Sequence, residues 1–143
     1  MLITEEQPNP ESPILIADDE ADDAFILQRR LQKAGVRNPV ILFRDGEELI
    51  EFLGKKNALP TAKPVLLLLD LKMPMVDGFD VLQWLRLSRL KNLPVTVISS
   101  SSRKEDRTRA MAGGASDYFE KFPTESELAA IVTRASTHPF SRE

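Results

Sequence analysis

The sequence predicts an α/β fold in which five short strands form one parallel sheet covered by helices on both faces. Two observations carry this. Val65-Leu66-Leu67-Leu68-Leu69 is apolar without alternation and is bounded by Pro64 and by the breaker-rich residues 72–78. Neither face of such a run can be left in water, so it reads as a central strand buried on both sides. Runs of this kind also alternate along the chain with segments of helical periodicity, which is the order that right-handed crossovers between parallel strands produce.

The elements follow in order. Residues 1–12 are polar, carry Pro8 and Pro10, and read as a flexible lead-in to a domain spanning 13–135. Ile14-Leu15-Ile16-Ala17 is the first strand and runs into Asp18-Asp19-Glu20. Ala24, Leu27, Leu31 and Ala34 lie on one face of the first helix, and Gly35 stops it. Val40-Ile41-Leu42-Phe43 is the second strand. Asp45 caps the second helix, with Glu48 in the capping-box position and Leu49, Phe52 and Leu53 as its apolar side. Residues 54–64 form a loop. After the central strand, Asp77-Gly78 opens a helix whose buried face is Val81, Leu82 and Leu85, with Trp84 beside it as a packing residue. Residues 94–98 are the fourth strand, followed by four serines. Residues 103–112 are a charged helix with a thin apolar face, Ala110 and Met111, closed by Gly113-Gly114. Residues 116–120 are a short fifth strand with Lys121 at its end. Thr124-Glu125-Ser126-Glu127 is a capping box for the last helix, which turns Leu128, Ile131 and Val132 inward. Residues 136–143 read as a frayed tail. The helices should divide two to one face and three to the other.

At 143 residues the chain can bury the core of one domain. Its 42% apolar and 29% charged residues fit a folded globular protein, and its net charge of −3 argues against non-specific nucleic-acid binding. No apolar run approaches the length needed to span a bilayer, and the first residues lack the pattern of a signal peptide. The absence of Cys excludes disulfides, thiolate zinc sites and thiol nucleophiles, and fits a cytoplasmic protein. His138, the one histidine, lies in the tail, so no His-based dyad is available inside the fold.

The strand ends carry the chemistry. Asp18 and Asp19 follow the first strand, Asp70 the third, Ser99 the fourth and Lys121 the fifth. In the flavodoxin-like strand order 2-1-3-4-5, strands one and three are neighbours and the ligand crevice opens between them at their carboxyl ends. Three carboxylates then converge, and their repulsion calls for a cation. Oxygen ligands without His or Cys select Mg²⁺ or a similar ion. A hydroxyl and Lys121 complete a pocket for an anion on Asp70, whose carboxylate can act as a nucleophile toward phosphorus, with the metal and Lys121 neutralising the transferring group. On its own stretch Asp70 reads equally well as the start of a turn. Asp22 and Asp23 read as first-turn acids favoured by the helix dipole rather than as ligands.

These residues resemble the receiver domain of two-component response regulators over residues 14–134. The likeness is carried by residues 14–20, by Leu68-Leu69-Asp70-Leu71-Lys72-Met73-Pro74-Met75-Val76-Asp77-Gly78, by Pro94-Val95-Thr96-Val97-Ile98-Ser99-Ser100, and by Gly114-Ala115-Ser116-Asp117-Tyr118-Phe119-Glu120-Lys121. The resemblance implies that Asp70 accepts a phosphoryl group from the histidine of a sensor kinase. Asp19 would bind Mg²⁺ directly, Asp18 mostly through water, and the backbone carbonyl of Lys72 would add a ligand. Ser99, with Ser100 beside it, and Lys121 would hold the phosphoryl group. Tyr118 would be the aromatic that swings inward on activation, although it also reads as an ordinary strand aromatic. Ser100, Ser101 and Ser102 read equally as loop serines, one of them capping the next helix. Lys72 and Ser101, two residues past Asp70 and Ser99, are expected to tune the lifetime of the phosphoryl group. The family usually has Pro directly after the lysine; here Phe122 intervenes and Pro stands at 123. Even so, the site favours a cis peptide between Lys121 and Phe122.

The expected role is that of a stand-alone receiver. It would be phosphorylated by a sensor histidine kinase or a histidine phosphotransfer protein and would signal to a downstream protein, with no direct nucleic-acid binding and no membrane insertion. The opening residues 18–23 resemble the subgroup serving bacterial phytochrome-type kinases. The fourth helix, fifth strand and fifth helix, with Arg107, Arg109, Asp117 and Glu120, are expected to form the output face or a homodimer contact, or else a solvated charged surface. One rival is a phosphohydrolase with the same Asp nucleophile, but Lys72 stands where such an enzyme places its second acid. The other rival is a binding module that is never phosphorylated.

Overall fold

The computed structural model describes residues 12–55 and 63–137. The lead-in before Ser12, most of the 54–64 loop and the tail with His138 lie outside the described residues. The elements are β1 (Ile14–Ala17), α1 (Ala21–Lys33), β2 (Val40–Phe43), α2 (Gly46–Gly54), β3 (Leu66–Leu69), α3 (Gly78–Arg86), β4 (Val95–Ser99), α4 (Lys104–Ala112), β5 (Asp117–Glu120) and α5 (Glu125–Thr137). The strands form one parallel sheet in the order β2-β1-β3-β4-β5, the predicted topology.

Alternate residues of the central strands feed two cores. Leu15, Leu67 and Leu69 face α2, α3 and α4, packing with Leu49, Leu53, Val81, Leu82, Leu85 and Ala110. Ile14, Ile16, Leu66 and Leu68 face α1 and α5, packing with Leu27, Leu31, Leu128 and Ile131. This two-sided burial is why β3 shows no alternation. Each of its leucines is at most 1% exposed, and burying one contributes about 1.5–3 kcal/mol.

Helix ends follow local chemistry. The Asp77 carboxylate accepts the Asp80 N–H, and the Asp80 carboxylate accepts that of Asp77. Thr124 and Glu127 make the same reciprocal pair at α5. Gly35 (φ +88°) and Gly114 (φ +112°) end α1 and α4 in left-handed conformations. Beyond them, Val36 N–H donates to Leu31 and Ala115 N–H to Ala110, as in a Schellman motif.

Three expectations are corrected in detail. Met111 is 42% exposed, so the inward side of α4 is Ala110 alone, since adjacent residues of a helix point to different faces. The Glu48 carboxylate accepts the N–H of Arg44, one residue before the Asp45 cap. Helix α5 continues to Thr137 rather than fraying at Ser136, whose hydroxyl, like that of Thr137, donates back to a carbonyl of the last turns.

Candidate functional site

Register builds the site. Ala17 pairs with Leu69, and Asp70 N–H donates to the Ala17 carbonyl. Asp18 and Asp70 therefore leave neighbouring strands side by side. On the other flank Ser99 pairs with Glu120, and Lys121 N–H donates to the Ser99 carbonyl. Asp18, Asp70 and Ser99 are buried, whereas Asp19 is exposed. Carboxylate oxygens of Asp18, Asp19 and Asp70 lie within 4.8 Å of one another. A dense set of hard oxygen donors with one open, exposed member fits a divalent cation of the Mg²⁺ class. Lys72 stands exposed two residues past Asp70.

Lys121 reaches across this edge. Its Nζ lies 2.7 Å from Asp23 Oδ2, 3.0 Å from Asp18 Oδ2 and 3.8 Å from Asp70 Oδ2. The Lys121–Phe122 peptide is cis, as expected. Burial and the charge of Asp18 push the Asp70 carboxyl up to about 7; Lys121 opposes this, and Asp19 adds to it. Burial of Lys121 works against its charged form, but the hydrogen bonds to Asp23 and Asp18 and the charge of Asp70 outweigh it and raise its pKa.

The serine segment links this edge to α4. Ser99 Oγ, fully buried, accepts the Ser101 N–H. The Ser101 hydroxyl donates to Asp106 at 2.6 Å and accepts the Arg103 N–H, so Ser101 ties the start of α4 in place. Tyr118 is turned inward, 5% exposed, and its hydroxyl donates to the Ser101 carbonyl. Ser100 is exposed. Of the charged residues expected on the α4–β5–α5 face, Arg107 stacks over Tyr118, Arg109 over Phe79 of α3, and Asp117 pairs with Arg134 of α5 at 2.5 Å.

Asp23 reads from the sequence as a dipole-favoured acid, yet the structure brings it onto Lys121. The signal for this lies in the spacing: Asp23 stands four residues before Leu27, on the buried edge of α1, whereas Asp22 points to solvent.

Gly78 fixes the loop that leaves Asp70. A Cβ there would sit 2.5 Å from the Asp70 carbonyl oxygen and 2.8 Å from the Leu71 Cα. Gly78→Ala is expected to push the acceptor loop outward and destabilise the fold by about 1–3 kcal/mol. Chemical denaturation checks this; an unchanged midpoint would mean the loop yields freely.

An aspartate at the strand edge beside two further carboxylates, with a buried serine and a lysine near it, sits at the carboxyl edge of a doubly wound α/β sheet, and the three carboxylates together could hold a metal ion. Comparison with known proteins gives the family. Residues 14–133 match the response regulator receiver domain, and the chain belongs to that family. It is 30% identical over 109 residues to the "Probable methanogenesis regulatory protein FilR2" of Methanothrix harundinacea, covering 76% of this chain and 70% of that one. The bacteriophytochrome response regulator AtBRR superposes with a TM-score of 0.76 at 29% identity, covering 92% of this chain and 96% of that one. The Mn²⁺-bound form of response regulator Rcp1 superposes with a TM-score of 0.70 at 25% identity, covering 92% and 96%. Other relatives are longer: the chain spans 46% of the alkaline phosphatase synthesis transcriptional regulatory protein PhoP of Bacillus subtilis. Receiver domains are signalling proteins of two-component systems and are phosphorylated by histidine kinases. Among the described residues no helix is long and apolar enough to cross a membrane.

Proposed function

We propose that Asp70 accepts a phosphoryl group from a phosphohistidine and that its modification switches a protein-interaction face. The observation carrying this reading is the placement of Asp70, buried at the end of β3, with Asp18 beside it and the Lys121 ammonium 3.8 Å away. A carboxylate oxygen of Asp70 attacks phosphorus, the P–N bond breaks, and its electron pair returns to the imidazole of the donor. Lys121 and the Ser99 hydroxyl then take the phosphoryl oxygens, with Ser100 flanking them. Asp18, Asp19, Asp70 and the Lys72 carbonyl would hold Mg²⁺, which when bound supplies positive charge against the carboxylates and the transferred group.

Drawing Ser99 toward a phosphoryl oxygen pulls on the Ser101 N–H it accepts, and Ser101 in turn holds Tyr118 and Asp106. Because Tyr118 already lies inward on the Ser101 carbonyl, its switch role is to relay this pull rather than to swing in, and it carries the change to the α4–β5–α5 face, where a downstream protein or a second copy would bind. Lys72 and Ser101 tune the lifetime of the phosphoryl group; neither is a carboxylate base, so loss of phosphate is slow. The likeness to AtBRR favours a phytochrome-type kinase as the donor.

Intact mass after incubation with acetyl phosphate and Mg²⁺ tests the reading. The protein should gain one phosphoryl mass, and the gain should vanish in Asp70→Asn or with excess chelator. A full gain in Asp70→Asn would sink the assignment. In the same assay Lys72→Asn should change the decay rate of the adduct; equal decay would remove Lys72 from the lifetime role.

A further inference from the structure

The shortest contact of Lys121 is not with the acceptor. Its ammonium bonds Asp23 at 2.7 Å and Asp18 at 3.0 Å, but stops 3.8 Å from Asp70 Oδ2. The first is a hydrogen-bonded ion pair and the second an ion pair at contact distance, whereas the third lies beyond hydrogen-bond reach. An ammonium has three donors, so a shortage of protons does not explain the gap. The nitrogen is held back. Asp18 and Asp70 sit at the ends of adjacent strands on the inner side of the site. Asp23 comes from the first turn of α1, and its side chain has no hydrogen-bond or ion-pair partner other than Lys121 among the described residues. Asp18, by contrast, is also fixed by the Glu20 N–H at 2.9 Å.

We propose that Asp23 is a positioning residue that keeps the Lys121 ammonium at a stand-off from Asp70, preserving space beside the acceptor carboxylate for a phosphoryl oxygen and a divalent cation. This rests on the reading of Asp70 as the phosphoacceptor. Without Asp23, the carboxylates left to the ammonium are Asp18 and Asp70, both on the inner side. The nitrogen then moves inward and bonds Asp70 directly. That bond occupies a carboxylate oxygen needed for the new linkage, and it brings a positive charge toward the cation cluster. With Asp23 in place, the ammonium already lies close enough to meet an oxygen of a group attached to Asp70 without leaving its anchor. The opposite reading makes Asp23 a competitor that must release Lys121 before an anion can bind, and it predicts the opposite sign.

The test compares wild type with Asp23→Asn, Asp23→Glu and Asp22→Asn. Asp22 sits in the same turn of α1, is exposed, and does not touch Lys121, so its variant removes a similar charge without the contact. Calorimetry reads the affinity for Mg²⁺ alone and for beryllofluoride, a phosphoryl mimic, with Mg²⁺. Asp23→Asn should weaken both about tenfold, the scale of one charge-assisted hydrogen bond. Asp22→Asn should stay within about twofold, as a screened surface charge does. Asp23→Glu should recover part of the loss. In the Mg²⁺-free protein, ¹⁵N NMR of the Lys121 ammonium should show couplings across hydrogen bonds to the Asp23 and Asp18 carboxylate carbons in wild type, and to Asp18 and Asp70 in Asp23→Asn. Unchanged or tighter beryllofluoride binding by Asp23→Asn overturns the proposal, as does an ammonium that never couples to Asp70 in that variant. Wild type that binds no beryllofluoride would instead overturn the phosphoacceptor reading, and the NMR comparison would still decide whether Asp23 holds Lys121 back.

Discussion

Asp70→Asn is expected to make the metal-free protein more stable at pH 8, by on the order of 2–4 kcal/mol, while abolishing phosphorylation. The Asp70 carboxyl sits at about 7 rather than 3.8, raised first by burial and then by Asp18. The sign follows from proton counting. Between about pH 4 and pH 7 the folded state keeps a proton on Asp70 that the unfolded chain has released. Stability therefore falls as pH rises through that window and levels off above it. A tenfold change in proton affinity corresponds to about 1.36 kcal/mol, and a chain of this size gains roughly 3–5 °C in melting temperature per kcal/mol. Asn keeps the shape of the side chain and removes the charge, so the variant should lose this slope and melt higher. Mg²⁺ should restore stability to the wild type by binding only its folded state and should do little for Asp70→Asn. Thermal unfolding from pH 5 to 9, with and without Mg²⁺, checks both halves. A wild-type slope that survives in Asp70→Asn would place the titration on another group.

Much of this was legible in the sequence because it lies on strands. Four short apolar runs and a fifth strand built on Tyr118 and Phe119 fix the sheet, and once the strand order is set, the residue after each must lie at the carboxyl edge. Asp18, Asp70, Ser99 and Lys121 follow from that alone. What was missed came from helices and loops, where rotation about an axis decides which side chain faces the site. Asp22 and Asp23 are chemically alike and adjacent, and only the roll of α1 puts Asp23 on Lys121 and Asp22 in solvent. Met111 follows the same rule: its residue type suits the inward side of α4, but the roll of the helix turns Ala110 in and Met111 out. The contacts of Ser101 with Asp106, Ser99 and Tyr118 depend on a loop path that serine repeats do not specify.

Lys121→Ala should destabilise the metal-free protein by about 2–4 kcal/mol at pH 8 and yet make it bind Mg²⁺ more tightly. The ammonium, with its side chain 8% exposed, is the one cation bonded to both Asp18 and Asp23 and the nearest to Asp70 among the described residues. Removing one partner of a buried pair costs about 3–5 kcal/mol because the other charge is stranded. Here the cost is reduced, since the Asp23 side chain is 28% exposed and retains water. Lys121 also lowers the Asp70 carboxyl, so the variant should titrate Asp70 still higher. Below that value the proton neutralises Asp70, and the deficit relative to wild type should shrink as pH falls toward 5. The lysine's own titration does not interfere, because its pKa is raised and its contribution is lost only as pH climbs through that higher range. Magnesium reverses the balance: with no resident ammonium to repel it, the cation meets three carboxylates whose repulsion is otherwise unrelieved. Melting curves with increasing Mg²⁺ should therefore cross, Lys121→Ala starting below wild type and gaining more per decade of metal until saturation. A variant that loses stability equally at pH 5 and pH 8, and gains no more from Mg²⁺ than wild type, would show that Lys121 contributes packing rather than charge.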